Sequence, residues 1–146
     1  MAGIKIGGRE IPLLYTTYEL VEIQEAIGCT GHQLRDEVFG IHLADENDPS
    51  SVVFDCVTDG KKTKKLGTLI RILGNAGLEE SGQEPNLTDK SVLRCIRPAN
   101  ILAYAIAVMA VVLDGMKSET SQLIEQESGP VDEVLEAENE KKEPGN

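Results

Sequence analysis

The sequence predicts a mainly α fold, a small helical domain over residues 1–118 with a short N-terminal β-hairpin, followed by a disordered acidic tail over 119–146. Three observations predict it. Apolar residues recur at spacings of three and four in several segments, and helix-capping patterns precede some of them. The stretch Pro98 to Met116, PANILAYAIAVMAVVLDGM, holds thirteen consecutive residues, Ile101 to Leu113, with no charge among them. Beyond Met116 the character changes: residues 117–146 carry nine acidic and three basic side chains, −6 of the chain's net −11. So few large apolar residues remain there that burial cannot offset the chain entropy of folding.

The elements follow in order. Ile4 and Ile6 alternate with Lys5, and Gly7-Gly8 supplies the positive φ values of a tight turn before Ile11, Leu13 and Leu14, which is the pattern of a hairpin. Thr16-Thr17-Tyr18-Glu19 fits a capping box. The helix it opens carries Leu20, Ile23 and Ile27 as an apolar stripe widened by Tyr18 and Val21, with Glu19, Glu22, Gln24 and Glu25 facing away and Gly28 as the stop. A second box, Thr30-Gly31-His32-Gln33, predicts a shorter helix through Leu34 and Val38 to Gly40.

From Ile41 to Gly60 the periodicity is weak. Asp45-Glu46-Asn47-Asp48 resembles half of a calcium loop, but the sixth and twelfth positions are Ser50 and Cys56 where Gly and Glu are needed. Ser51 to Val57 is open between a buried strand and a short helix, and its helical neighbours favour the helix. Lys61, Lys62, Lys64 and Lys65 then form the one basic patch, at a helix start where they oppose the macrodipole. It reads as a solvated face or as a contact for an acidic partner. Leu66, Leu69, Ile70 and Leu73 make the next stripe, which Gly74-Asn75-Ala76-Gly77 is expected to end. A polar loop follows, then a helix capped by Thr88 with Val92, Leu93 and Ile96 inward. Pro98 opens the last helix, at a first-turn position where its missing amide costs nothing.

That last helix is the functional clue. Thirteen helical residues span about 20 Å, short of the roughly 30 Å core of a bilayer, so it reads as a core helix. A helix apolar all round has no face suited to water, and must be wrapped by its own fold or covered by a partner. Ile101, Leu102, Tyr104, Ala105, Val108, Met109 and Val112 are its candidate partner-binding residues, and a Glu at Val108 or Val112 is expected to abolish binding or oligomerisation. Ala103, Ala105, Ala107 and Ala110 permit close approach of another helix.

Other classes of function are disfavoured. A net charge of −11 repels nucleic acid and anionic membranes, and aromatics are only 3% of residues, too few for stacking platforms. The opening MAGIKIGGREIPLL has no signal-peptide pattern, so a cytosolic protein is expected. Three widely spaced cysteines, Cys29, Cys56 and Cys95, read as reduced structural thiols, Cys95 buried. His32 and His42 lie in no metal-ligand or triad spacing, and no phosphate loop is present. No catalytic residue, metal site or cofactor is expected, and the chain reads as an interaction protein.

The order of elements resembles one known family. The opening IKIGGREIPLLYTTYELVEIQEAIG, the LGTLIRIL segment and the ending LTDKSVLRCIRPANILAYAIAVMAVVLDGM are similar to the tail assembly chaperones of long-tailed bacteriophages and prophages, over about residues 3–118. The resemblance implies a homo-oligomeric protein of the bacterial host cytoplasm that binds the tape measure protein, keeps it soluble while tail tube protein polymerises around it, and is absent from the mature virion. It also implies a longer frameshifted product, for which Lys141-Lys142 could be encoded by a slippery run. A structural tail or connector protein retained in the virion is the alternative, and a regulator whose acidic tail mimics nucleic acid is a third.

Overall fold

The computed structural model describes residues 2–29 and 31–117. Among them the chain is mainly helical, with four α-helices and two small antiparallel sheets. Strands β1 (Gly3–Ile6) and β2 (Arg9–Pro12) pair with Ile4 opposite Ile11, and Gly7 and Gly8 take the positive φ of the connecting turn. Ile4, Ile6, Ile11 and then Leu13 are buried, so this sheet is one wall of the core.

Helix α1 (Thr17–Ile27) begins at a complete capping box: the Glu19 carboxylate accepts from the Thr16 amide at 2.8 Å, and the Thr16 hydroxyl accepts from the Tyr18 amide at 3.3 Å. Reaching back to the cap turns Glu19 inward, leaving it 5% exposed, although the amphipathic pattern places it outside. The expected stripe narrows accordingly. Ile23 is fully buried and Ile27 partly, whereas Tyr18, Leu20 and Val21 face outward. Gly28, at φ 91°, closes the helix by donating to the Gln24 carbonyl.

The short α-helix expected up to Gly40 is instead a wide π turn, Arg35–Phe39, in which the Gly40 amide reaches back to the Arg35 carbonyl. The added residue per turn brings Leu34, Val38 and Phe39 all into the core. Thr30, the predicted cap, lies outside the described residues.

Ser51 to Val57, open between a strand and the favoured short helix, is mostly extended, and it pairs within residues 41–57. Strands β3 (Ile41–Leu43) and β4 (Val52–Phe54) pair with Ile41 opposite Phe54, and Asp55–Val57 form a single 3-10 turn that buries Cys56. The helix fails here because Val52-Val53-Phe54 finds an extended partner in Ile41-His42-Leu43. The Asp45 and Asp48 carboxylates hold the connection by accepting from the Asn47 and Ser50 amides at 3.0 Å.

Helix α2 (Gly60–Glu80) is the axis of the fold. Asp59 caps it, accepting from the Lys61 amide at 3.0 Å, and Leu66, Leu69, Ile70, Ile72, Leu73 and Leu78 are all buried along it. It passes through Gly74 and Gly77, where the sequence suggests a stop. These glycines serve contact instead: a Cβ at Gly77 would run into the Pro12 carbonyl, and one at Gly74 into Leu87 and Ile11. Bare helix surface there lets β2 lie against α2, with the Leu14 amide donating to the Leu73 carbonyl at 3.1 Å.

Helix α3 (Asp89–Cys95) is capped by Thr88, whose hydroxyl accepts from the Ser91 amide at 3.0 Å. It is pinned to α2 by Asp89, which accepts from the Thr68 hydroxyl at 2.7 Å and from the Arg71 guanidinium. Asn75 adds a two-way bond to the Leu87 backbone at 3.0 and 2.9 Å. Val92 is buried, but Cys95 is exposed, so its expected burial is corrected; Cys29 and Cys56 are the buried thiols. Pro98–Asn100 form a 3-10 turn and helix α4 (Ile101–Gly115) follows. The predicted tail over 119–146 lies outside the described residues.

Candidate functional site

The most apolar helix of the chain is not its core axis. Helix α4 buries one narrow line of side chains, Ile101, Ala105, Val108 and Val112, against the rest of the domain. The line one residue further on, Leu102, Ile106, Met109 and Leu113, is turned about 100° around the helix. Leu102, Ile106 and Leu113 on it are 43%, 46% and 56% exposed, Met109 is partly covered, and Met116 continues the line into solvent. Ala103 and Ala110 flank it on the side away from the core and are exposed as well.

Two contacts fix which line faces inward. The Tyr104 hydroxyl donates to the Lys5 carbonyl in β1, clamping the first turn of α4 to the sheet. At the far end Gly115 lies against the Tyr15 ring, where any side chain would collide. With both ends held, the rotation of the helix is set, and the Leu102–Leu113 line is left outward.

The predicted partner-binding set is therefore split. Ile101, Ala105, Val108 and Val112 belong to the core, Tyr104 is engaged with Lys5, and Leu102 and Met109 lie on the exposed line. Ile106, Leu113 and Met116 were missing from that set. Their signal is the 4-3-4-3 spacing they share with Leu102 and Met109, but Ile101, Ala105, Val108 and Val112 show the same spacing offset by one residue.

The lysine patch is spread over several contacts. Lys65 pairs with Glu37 at 3.7 Å, the Lys62 stem lies against Gly40, and the Lys64 charge reaches Asp89. Lys61 and Lys64 are exposed at the first turns of α2. Beside Lys65 a cleft of about 320 Å³ is lined by Ile27, Cys29, Asp36 and Glu37 among others. Burial pushes the Cys29 thiol up from its usual range, an effect the Lys65 charge only partly opposes, so Cys29 is protonated at neutral pH. The described residues contain no group of three His, Cys, Asp or Glu placed to share a metal ion.

By length and composition Pro98–Gly115, with a mean hydropathy of 1.7 over eighteen residues of which 22% are buried, also passes for a membrane span. The fifteen residues of α4 itself rise only about 22 Å, against the roughly 30 Å of a bilayer core. No protein-family model matches the chain, and no curated protein or solved structure matches it either.

Proposed function

We propose that this protein is a non-enzymatic chaperone that shelters an apolar helical segment of a larger client on the exposed line of α4. The observation that carries the reading is that one helix holds an uncharged run from Ile101 to Leu113 and leaves Leu102, Ile106 and Leu113 in solvent. An apolar strip of this kind suits a helix-in-groove contact. With the resemblance of its sequence, the reading becomes a phage tail assembly chaperone whose client is the tape measure protein, with tail tube protein a second partner. It acts as a homo-oligomer in the cytoplasm of the bacterial host and is absent from the virion. In this reading residues 1–118, opened by the β1–β2 hairpin, form the binding unit, and the charge of residues 119–146 keeps the complex soluble.

Co-expression tests it. A tape measure protein co-expressed with this chain is expected to stay soluble and co-purify with it, and Ile106→Glu or Leu113→Glu is expected to release it into the pellet. Equal recovery with folded forms of both variants overturns the reading. Detection of this chain at structural stoichiometry in purified virions replaces it with that of a retained tail or connector component.

A further inference from the structure

We infer, resting on the chaperone reading, that the client segment on α4 is a helix with a cluster of carboxylates at one end, and that Lys61, Lys64, Arg94 and Arg97 receive those carboxylates. Lys61, Lys64 and Thr68 follow one another at spacings of three and four, so they lie on one line of α2. Thr68 and Arg71 hold Asp89 at the start of α3, and Leu93, one turn further along α3, fills the notch at Gly67. Helix α3 therefore runs back toward the start of α2, and it carries Arg94 and Arg97 toward Lys64 and Lys61. All four residues are exposed, and among the described residues none of them forms an ion pair. The Lys64 charge reaches Asp89, but that carboxylate is already taken by Thr68 and Arg71.

The cluster does not stabilise the fold. Its members repel one another, and Lys61 and Lys64 oppose the α2 macrodipole. What it adjoins is the apolar line of α4. Arg97 is followed by Pro98–Asn100, exposed throughout, and then by Leu102 at the head of that line. From Leu102 to Met116 the line rises about 21 Å, roughly four helical turns, with no charge between Ile101 and Leu113. A surface that is cationic at one end and apolar along the rest is complementary to a helix that is carboxylate-rich at one end and apolar along one face. Nucleic acid and anionic membranes match it less well. Both spread their charge widely, and would bring it against the remainder of a chain of net −11.

Fluorescence anisotropy of the full chain with two labelled synthetic helices tests this. Both peptides carry the same leucine seam, matched in length to the α4 line; one ends in a cluster of glutamates and the other in glutamines. The glutamate peptide is expected to bind about tenfold more tightly at low ionic strength, an advantage that high salt removes. Arg94→Glu combined with Arg97→Glu is expected to abolish the advantage and leave the glutamine peptide unaffected, with unchanged circular dichroism. Ile106→Glu is expected to weaken both peptides. Equal binding of the two peptides to the parent chain overturns the inference and leaves the chaperone reading standing, as does an advantage that survives the double reversal. Binding of neither peptide, or binding indifferent to Ile106→Glu, overturns the chaperone reading and the inference with it. Tighter binding of a single-stranded oligonucleotide of equal charge also overturns the inference, and assigns the cluster to nucleic acid.

Discussion

Two substitutions two residues apart on α4 should behave oppositely. Val108 is 0% exposed and Ile106 is 46% exposed, although both lie in one uncharged run. Val108→Glu removes a buried side chain worth about 1.5–3 kcal/mol and places a carboxylate at a fully buried position. An unpaired buried charge adds a penalty of several kcal/mol, for a total of about 5 kcal/mol or more, comparable to the whole stability of many domains, roughly 5–15 kcal/mol. Ile106→Glu gives up only about half of a transfer term, near 1 kcal/mol, and the better helix propensity of Glu returns a few tenths. Thermal denaturation followed by circular dichroism should show Ile106→Glu melting within several degrees of the parent chain, and Val108→Glu unfolded or insoluble. The same contrast separates Leu113 from Val112. A folded Val108→Glu with the parent's midpoint, or an Ile106→Glu equally crippled, would show that α4 turns a different line of side chains toward the core.

Gly77→Ala gains about 1 kcal/mol of helix propensity but meets the Pro12 backbone carbonyl, a fixed obstacle, so a net loss of about 2 kcal/mol in urea unfolding is expected. Gly60→Ala, with nothing near its Cβ, is the control, and equal stability of the two variants refutes the close approach of β2. Burial alone raises the Asp89 carboxyl, but the Thr68 and Arg71 hydrogen bonds and the Arg71 charge outweigh it and hold Asp89 below its usual range. The unfolded chain takes up that proton first as pH drops, so the stabilisation is complete above the ordinary carboxylate pKa of about 4 and lost as pH falls through the folded value. Asp89→Asn should cost about 1 kcal/mol at pH 7, a figure discounted for a pair about a third exposed, and should flatten the acid limb of the stability curve. His42 shifts the other way: its hydrogen bond to Asp55 at 2.9 Å, aided by the Leu43 carbonyl, raises its pKa. The stabilisation that the charged imidazole adds is fully present below the ordinary imidazole pKa of about 6.5 and lost as pH rises through the folded value. Titration by NMR should show the His42 midpoint falling in Asp55→Asn, and an unmoved midpoint removes Asp55 as the cause.

Local chemistry was legible from sequence because it closes within a few residues. The Thr16–Glu19 box, the Gly28 stop and the Thr88 cap all depend on neighbours three or four positions away, and all three stand in the structure. What could not be read in this way depends on distant partners. Val52-Val53-Phe54 is extended because Ile41-His42-Leu43 lies beside it, and Cys95 is outside although it sits in a helical pattern between Leu93 and Ile96.

Gly74 and Gly77 carry the same lesson for α2. A glycine pair is chemically suited both to ending a helix and to admitting a neighbour, and only the position of Pro12, more than sixty residues earlier in the chain, selects the second.

For α4, residue type and a period of 3.6 were enough to give a fifteen-residue helix two adjacent apolar seams. They could not say which seam faces inward. The two differ by one residue and by little in hydrophobicity, so the choice falls to contacts at the helix ends, Tyr104 on Lys5 and Gly115 on Tyr15. Those contacts join residues about a hundred positions apart, and tertiary structure alone brings them together.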